Sequence, residues 1–307
     1  MDFMDRIGQR VLYTAGSLGT SMLARRPTLR GACLESLVFT EPETVQQEQR
    51  SFYAAGCDAV DALTFGANPM TLSAHGLAER TREINRMAAE HVNAVRDEFS
   101  SEEWPRYSMG AIGPGARLPS LGEVTVEELR DSYVEQVAGL LEGEVDVLKV
   151  ETCVDLEQMR AALEAIRIAF DETSRRAPVI ASVTLQASGT MMTGAEVGDA
   201  VEVIEGSGVA DIIGLNCSTG PEGMVEPLRK LVRRTRLPVF AGPNAGLPVM
   251  SGTQPEYPVG PDAFAEYQRQ FVQELGVAIV GGCCGTTPEH FEAAIAAIGR
   301  ERPARTG

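Results

Sequence analysis

Two adjacent thiols stand in the run Gly281-Gly282-Cys283-Cys284-Gly285-Thr286-Thr287-Pro288. Neighbouring cysteines bridge to each other only by distorting the peptide between them, so they call for another partner, either separate cysteines or a metal that both can grip. Zinc is the natural candidate. A catalytic zinc site takes three protein ligands and keeps a fourth position open, which asks for one more cysteine. Cys217, in Asn216-Cys217-Ser218-Thr219-Gly220, can supply it. A lone cysteine is as often a small buried apolar residue, but an adjacent pair set among glycines in a loop is poorly suited to packing. A structural zinc site closes with a fourth Cys or His, and Cys153 is placed to close it here. Cys33 and Cys57 lie far in sequence from these motifs.

These residues need elements that bring them together. The β-branched run Val277-Ala278-Ile279-Val280 precedes the paired thiols, and Thr287-Pro288-Glu289 starts a helical pattern behind them, which makes a strand-loop-helix unit. The same rhythm recurs along the chain. Strands are expected at Val11 to Thr14, Ala59 to Thr64, Tyr107 to Ile112, Val145 to Val150, Val179 to Leu185, Asp211 to Leu215, Pro238 to Ala241 and Val277 to Val280. Between them lie helical patterns, clearest at Val126 to Leu141 and Leu156 to Phe170, where apolar residues recur at spacings of three and four. Eight such units predict an α/β fold of the (β/α)8 TIM-barrel type, with residues 1–307 as a single domain. No Gly-x-Gly-x-x-Gly follows the first strand, which weakens the dinucleotide-binding alternative. In a barrel the chemistry collects at the carboxyl ends of the strands. Cys217, Cys283 and Cys284 are all expected on that one rim.

Composition narrows the partners. The chain is 44% hydrophobic and 23% charged, with a net charge of -16 that opposes a general electrostatic footprint on nucleic acid or an anionic membrane. No stretch approaches the roughly 18 consecutive apolar residues of a membrane helix. The N-terminal Met1-Asp2-Phe3-Met4-Asp5-Arg6 lacks a signal-peptide core, so a cytoplasmic location with reduced cysteines is expected. The end, Glu301 to Gly307, reads as a short polar tail.

Three motifs carry a family resemblance: Gly-Leu-Asn-Cys at 214–217, Pro-Asn-Ala-Gly-Leu-Pro at 243–248, and Gly-Gly-Cys-Cys-Gly-Thr-Thr-Pro-Glu-His at 281–290. With them the chain, from Val11 to Ile298, resembles the homocysteine S-methyltransferase family, above all the homocysteine-binding barrel of cobalamin-dependent methionine synthase. The resemblance implies that Cys217, Cys283 and Cys284 bind Zn2+ and that a small-molecule thiol takes the open position. A free thiol has a pKa near 8.5 and its thiolate is the nucleophile, so a metal that binds sulfur activates the acceptor at neutral pH.

The resemblance further implies that Glu151 binds the amino group of homocysteine, as a rim carboxylate suits an ammonium ion. Thr64 and Phe65 match a family rim motif, although Ala62-Leu63 replaces the usual Thr-Asn before them. Asn244 can hydrogen-bond substrate, lie near the metal or simply form its turn. Asp155 suits a helix cap better than a ligand. Gly16 counts among the substrate-facing positions. Beside it stands Ala15, where the family commonly has an aspartate that helps bind homocysteine, so the acceptor is expected to be a different thiol or one held through Glu151 alone. The chain has no Asp-x-His-x-x-Gly cobalamin motif, and His75, His91 and His290 do not form one. The methyl group is therefore expected from a corrinoid on a separate protein. The alternatives are a small sulfonium or ammonium donor, or a barrel that binds zinc and a thiol without catalysis.

Overall fold

A parallel strand covered on both faces needs an apolar run, and a helix after each strand supplies the outer cover. The computed structural model describes residues 2–251 and 254–301. Its barrel strands are β1 (Leu12–Tyr13), β2 (Ala59–Asp61), β3 (Tyr107–Ile112), β4 (Val147–Cys153), β5 (Val179–Val183), β6 (Ile212–Cys217) and β7 (Val239–Pro243). A small antiparallel ribbon, β8 (Val249–Ser251) with β9 (Gln254–Glu256), precedes the last barrel strand, β10 (Ile279–Val280). The eight pair in the order β1-β10-β7-β6-β5-β4-β3-β2. Between the two ends of that order Thr14 bridges Ala59 in parallel, and the Asp58 N–H donates to the Tyr13 carbonyl at 2.7 Å. The ring is closed as a (β/α)8 TIM barrel.

The helical patterns fold as expected and begin on their caps. Val126–Glu142 opens on a capping box in which Thr125 and Glu128 exchange hydrogen bonds. Leu156–Thr173 opens on Asp155, whose carboxylate accepts from the Glu157 N–H at 3.0 Å and from the Ser120 N–H at 2.9 Å. Several strand ends differ from those the apolar runs suggest. β4, β6 and β7 run on into polar sequence because parallel pairing continues there, with Cys153 opposite Val183, Asn216 opposite Gly242 and Cys217 opposite Pro243. The β1, β2 and β5 strands stop short of their expected ends, which become loops of the rim, and β10 starts two residues late, at Ile279.

Inside the ring, Leu12, Ala59, Met109, Val147, Ile180, Ile212, Phe240 and Ile279 form one apolar plug with a residue from every barrel strand. Phe240 fits only because its neighbours are glycines. A Cβ on Gly281 would stand 2.3 Å from the ring's Cε2, one on Gly242 2.7 Å from Cζ and one on Gly214 2.7 Å from Cδ1. Below the plug, the fully buried Asp58 accepts from Arg10 at 2.6 Å and Arg300 at 2.7 Å, which ties both ends of the chain to the barrel floor. Glu301 bridges Arg10, and the rest of the tail lies outside the described residues. Among the described residues, no helix is long and apolar enough to cross a membrane.

Phe240→Ala should cost about 3–5 kcal/mol of stability, the range for removing a buried aromatic ring. Urea unfolding is expected to show a lower midpoint with an unchanged slope, and a loss below about 1 kcal/mol would contradict this account of the plug.

Candidate metal centre

The carboxyl ends of β6 and β10 flank that of β7, and their loops bring Cys217, Cys283 and Cys284 together so that all three Sγ atoms lie within 4.8 Å of one another. The Sγ atoms of Cys283 and Cys284 are 4.0 Å apart. The three thiols hydrogen-bond one another. Hydrogen bonds from Cys283 and then Cys284 hold Cys217 well below the ordinary thiol range, and the contact with Cys217 pushes Cys283 and Cys284 up.

Backbone geometry aims the sulfurs. Cys217 and Ser218 both take left-handed backbone, with φ of 62° and 59°, an arrangement that costs energy for residues with a Cβ and turns the chain sharply at the strand end. Across the rim, the Cys283 N–H donates to the Pro243 carbonyl at 2.9 Å. Asn244 holds the two cysteine loops together: its Nδ2 donates to the Ser218 carbonyl at 3.0 Å and its Oδ1 accepts from the Cys284 N–H at 3.0 Å. Gly285 (φ 78°) passes against the ring of Tyr257, whose hydroxyl hydrogen-bonds Cys284. At Gly16 a Cβ would lie 2.0 Å from Thr286 Oγ1, the hydroxyl that donates to the Cys283 carbonyl at 2.7 Å. The glycine lets the β1 loop close on the cysteine loop.

The thiols open on a cavity of about 290 Å³ whose lining also includes Gly16, Thr64, Phe65 and Glu151. Thr64 is fully buried and donates to the Ala111 carbonyl at 2.8 Å, so its hydroxyl belongs to the barrel wall. Phe65 stands half exposed at the mouth. Glu151 is buried, which pushes its carboxyl up to about 7, and lies 3.1 Å from Lys149 Nζ. The same Nζ is 2.7 Å from Asp61 Oδ2. Burial works against the charge on Lys149, but Asp61 and then Glu151 outweigh it and keep the ammonium charged. Thr152, with φ of 64°, is fixed by Asn216, which accepts from its N–H at 2.9 Å and donates to its hydroxyl at 2.9 Å.

Cys153 does not join the cluster. It is fully buried among the apolar residues of the outer core, which pushes its thiol up. Cys57 is buried in a second apolar cluster, and Cys33 lies beside Glu35 at 3.6 Å. Sequence reading passed over Asp61, Lys149, Asn216 and Tyr257. The signal for the second was present as a lysine inside Val147-Leu148-Lys149-Val150, where a strand covered on both faces has no ordinary place for a charge.

A closed (β/α)8 barrel that gathers three thiols at its carboxyl rim, beside a largely apolar cavity, defines the class: a barrel with a three-thiol cluster whose geometry could hold a metal ion. The chain belongs to the homocysteine S-methyltransferase family, whose profile matches residues 12–298. It is 42% identical to the methionine synthase of Mycobacterium tuberculosis, over 99% of this chain and 26% of that protein. It is 40% identical to the methionine synthase of Mycobacterium leprae, over 97% of this chain and 25% of that one, and so spans about a quarter of the length of these relatives. The metallated crystal structure of the homocysteine methyltransferase MmuM from Escherichia coli has the same fold, with a TM-score of 0.78 at 24% identity over 95% of this chain and 97% of that one.

The purified protein is expected to bind one zinc per chain, and Cys217→Ala, Cys283→Ala or Cys284→Ala should each remove most of it, as read by elemental analysis. Full zinc in any single variant would remove that residue from the ligand set. Asn244→Ala should keep all three sulfurs but lower zinc affinity about tenfold to a hundredfold in chelator competition, the usual effect of losing an outer support. Unchanged affinity would show that the loops hold their positions without it.

Proposed function

We propose that this chain is a zinc-dependent methyltransferase that activates homocysteine or a related thiol. The observation that carries the reading is the convergence of Cys217, Cys283 and Cys284 on one side of a cavity large enough for a small molecule. Their donor chemistry fits the group: three soft sulfurs in mutual reach, with no fourth His, Cys, Asp or Glu in the cluster among the described residues, match a catalytic centre with an open position. Zn2+ held there would supply a Lewis acid that keeps an acceptor thiol in its thiolate form at neutral pH.

The rest of the work falls to the chain itself. Asn244 and Tyr257 orient the ligand loops through the contacts to Ser218 and Cys284. Leu18, Leu23, Leu34 and Leu63 make one flank of the cavity apolar, which limits water around the acceptor sulfur. Glu151 faces the same space and takes the ammonium of the acceptor.

The methyl group comes from a corrinoid carried by a partner protein. The large exposed apolar side chains Phe65, Leu121, Met192, Leu247, Val249 and Met250 all stand on segments that follow barrel strands at the carboxyl rim, the last two on the β8 ribbon strand, and exposed apolar side chains of this kind suit the docking of a large carrier.

Zinc-loaded protein given homocysteine and free methylcobalamin should form methionine, and Cys283→Ala should lower the rate by more than about a hundredfold, beyond what loss of an outer support costs. Transfer from a small methylsulfonium compound but not from methylcobalamin would replace the corrinoid as donor. Stoichiometric zinc with no transfer from either would leave a non-catalytic zinc and thiol-binding barrel.

A further inference from the structure

The acceptor's head group needs fixed partners, and the strand-one position at which the family resemblance implies a carboxylate is Ala15. Its side chain packs into an apolar cluster with Leu18, Met22 and Leu63, and the cavity lining begins one residue later at Gly16. A carboxylate does reach the cavity from the next strand. Asp61, at the end of β2, is buried, lines the same cavity as the three thiols, and accepts from Lys149 at 2.7 Å through Oδ2 only. Its other oxygen, Oδ1, is buried and has no hydrogen-bond partner among the described residues. An unpaired carboxylate oxygen is costly to bury, and its position on the cavity wall makes a ligand donor the natural partner.

Charge points the same way. Glu151 approaches Lys149 from β4 at 3.1 Å, so two acids share a single cation. Burial raises both carboxyls, and with both ionised the head-group wall would carry one negative charge in excess, which a cation in the cavity would stabilise. Lys149 does not cancel the pair. Its ammonium is spent between Asp61 Oδ2 and Glu151 Oε2 and leaves Asp61 Oδ1 unsatisfied. A ligand ammonium would supply both the missing charge and the missing donor.

We propose that Asp61 is a specificity-determining residue that, with Glu151, binds the ammonium group of an aminothiol acceptor, in place of a carboxylate from β1. Lys149 serves as the internal counter-ion that lets the two carboxylates stand on one wall of a largely apolar cavity. The inference rests on the reading of the rim as a thiol methyltransferase site and adds to it the charge of the substrate's head group.

The test compares three thiols on the zinc-loaded full chain by calorimetry: homocysteine, 3-aminopropane-1-thiol, which lacks the carboxylate, and 4-sulfanylbutanoate, which lacks the ammonium. Both aminothiols should bind at least about tenfold tighter than 4-sulfanylbutanoate, the usual scale of a charge-assisted hydrogen bond. Asp61→Asn, which keeps the shape, should weaken both aminothiols about tenfold to a hundredfold and change 4-sulfanylbutanoate by less than about threefold. The wild-type comparison needs no variant to fold, and zinc content checks the variant. Equal or tighter binding of 4-sulfanylbutanoate by wild type, or an equal effect of Asp61→Asn on all three thiols, would overturn the assignment. Cobalt-substituted protein separates this from failure of the underlying reading. If none of the three thiols alters the thiolate-to-metal absorption, the metal centre does not take thiols and both readings fall. If all three alter it without discrimination, only the role of Asp61 falls.

Discussion

Three sulfur atoms from two separate loops must meet within 4.8 Å, and much of the carboxyl rim is arranged around that requirement. Parallel register meets most of it. β7 lies between β6 and β10, and Pro243 at its end pairs with Cys217 on one side while its carbonyl accepts the Cys283 N–H on the other. What register leaves open, Asn244 closes by bonding the backbone of both loops with a single amide. The remaining cost is local, in the left-handed backbone of Cys217 and Ser218. Strain of this kind persists only where surrounding contacts over-determine it, and here those contacts belong to the centre itself.

The barrel interior is divided into two tiers with opposite physics. The lower tier is an apolar plug whose tightest point is the Phe240 ring, seated where Gly214, Gly242 and Gly281 leave room. The upper tier holds Asp61, Lys149 and Glu151, a group of charges almost withdrawn from water. The two tiers meet on single strands: Val147 belongs to the plug and Lys149, two residues on and on the same face, belongs to the cavity. A buried ion pair is weak evidence for stability, because desolvation offsets much of the attraction. An apolar residue of similar size at Lys149 would have completed the plug at less cost. The charges therefore make more sense as part of the cavity's recognition surface than as part of the core.

Sequence alone determined the barrel and singled out the paired cysteines of its last loop, because both are written in local patterns. Alternating β-branched and amphipathic runs admit few architectures, and an adjacent pair of cysteines after a strand has few uses. Helix starts were legible for the same reason, since Thr125, Asp155 and Thr287 cap within a few residues of themselves. Strand ends were not, because pairing at Asn216, Cys217 and Pro243 depends on neighbours far away in the chain. Tertiary structure alone decided which cysteines meet: Cys153, as close to a strand end as the others, faces the outer core. It alone also decided the head-group wall, because Asp61 and Lys149 are 88 residues apart and only the inward face that β2 and β4 share across β3 places their side chains 2.7 Å from each other.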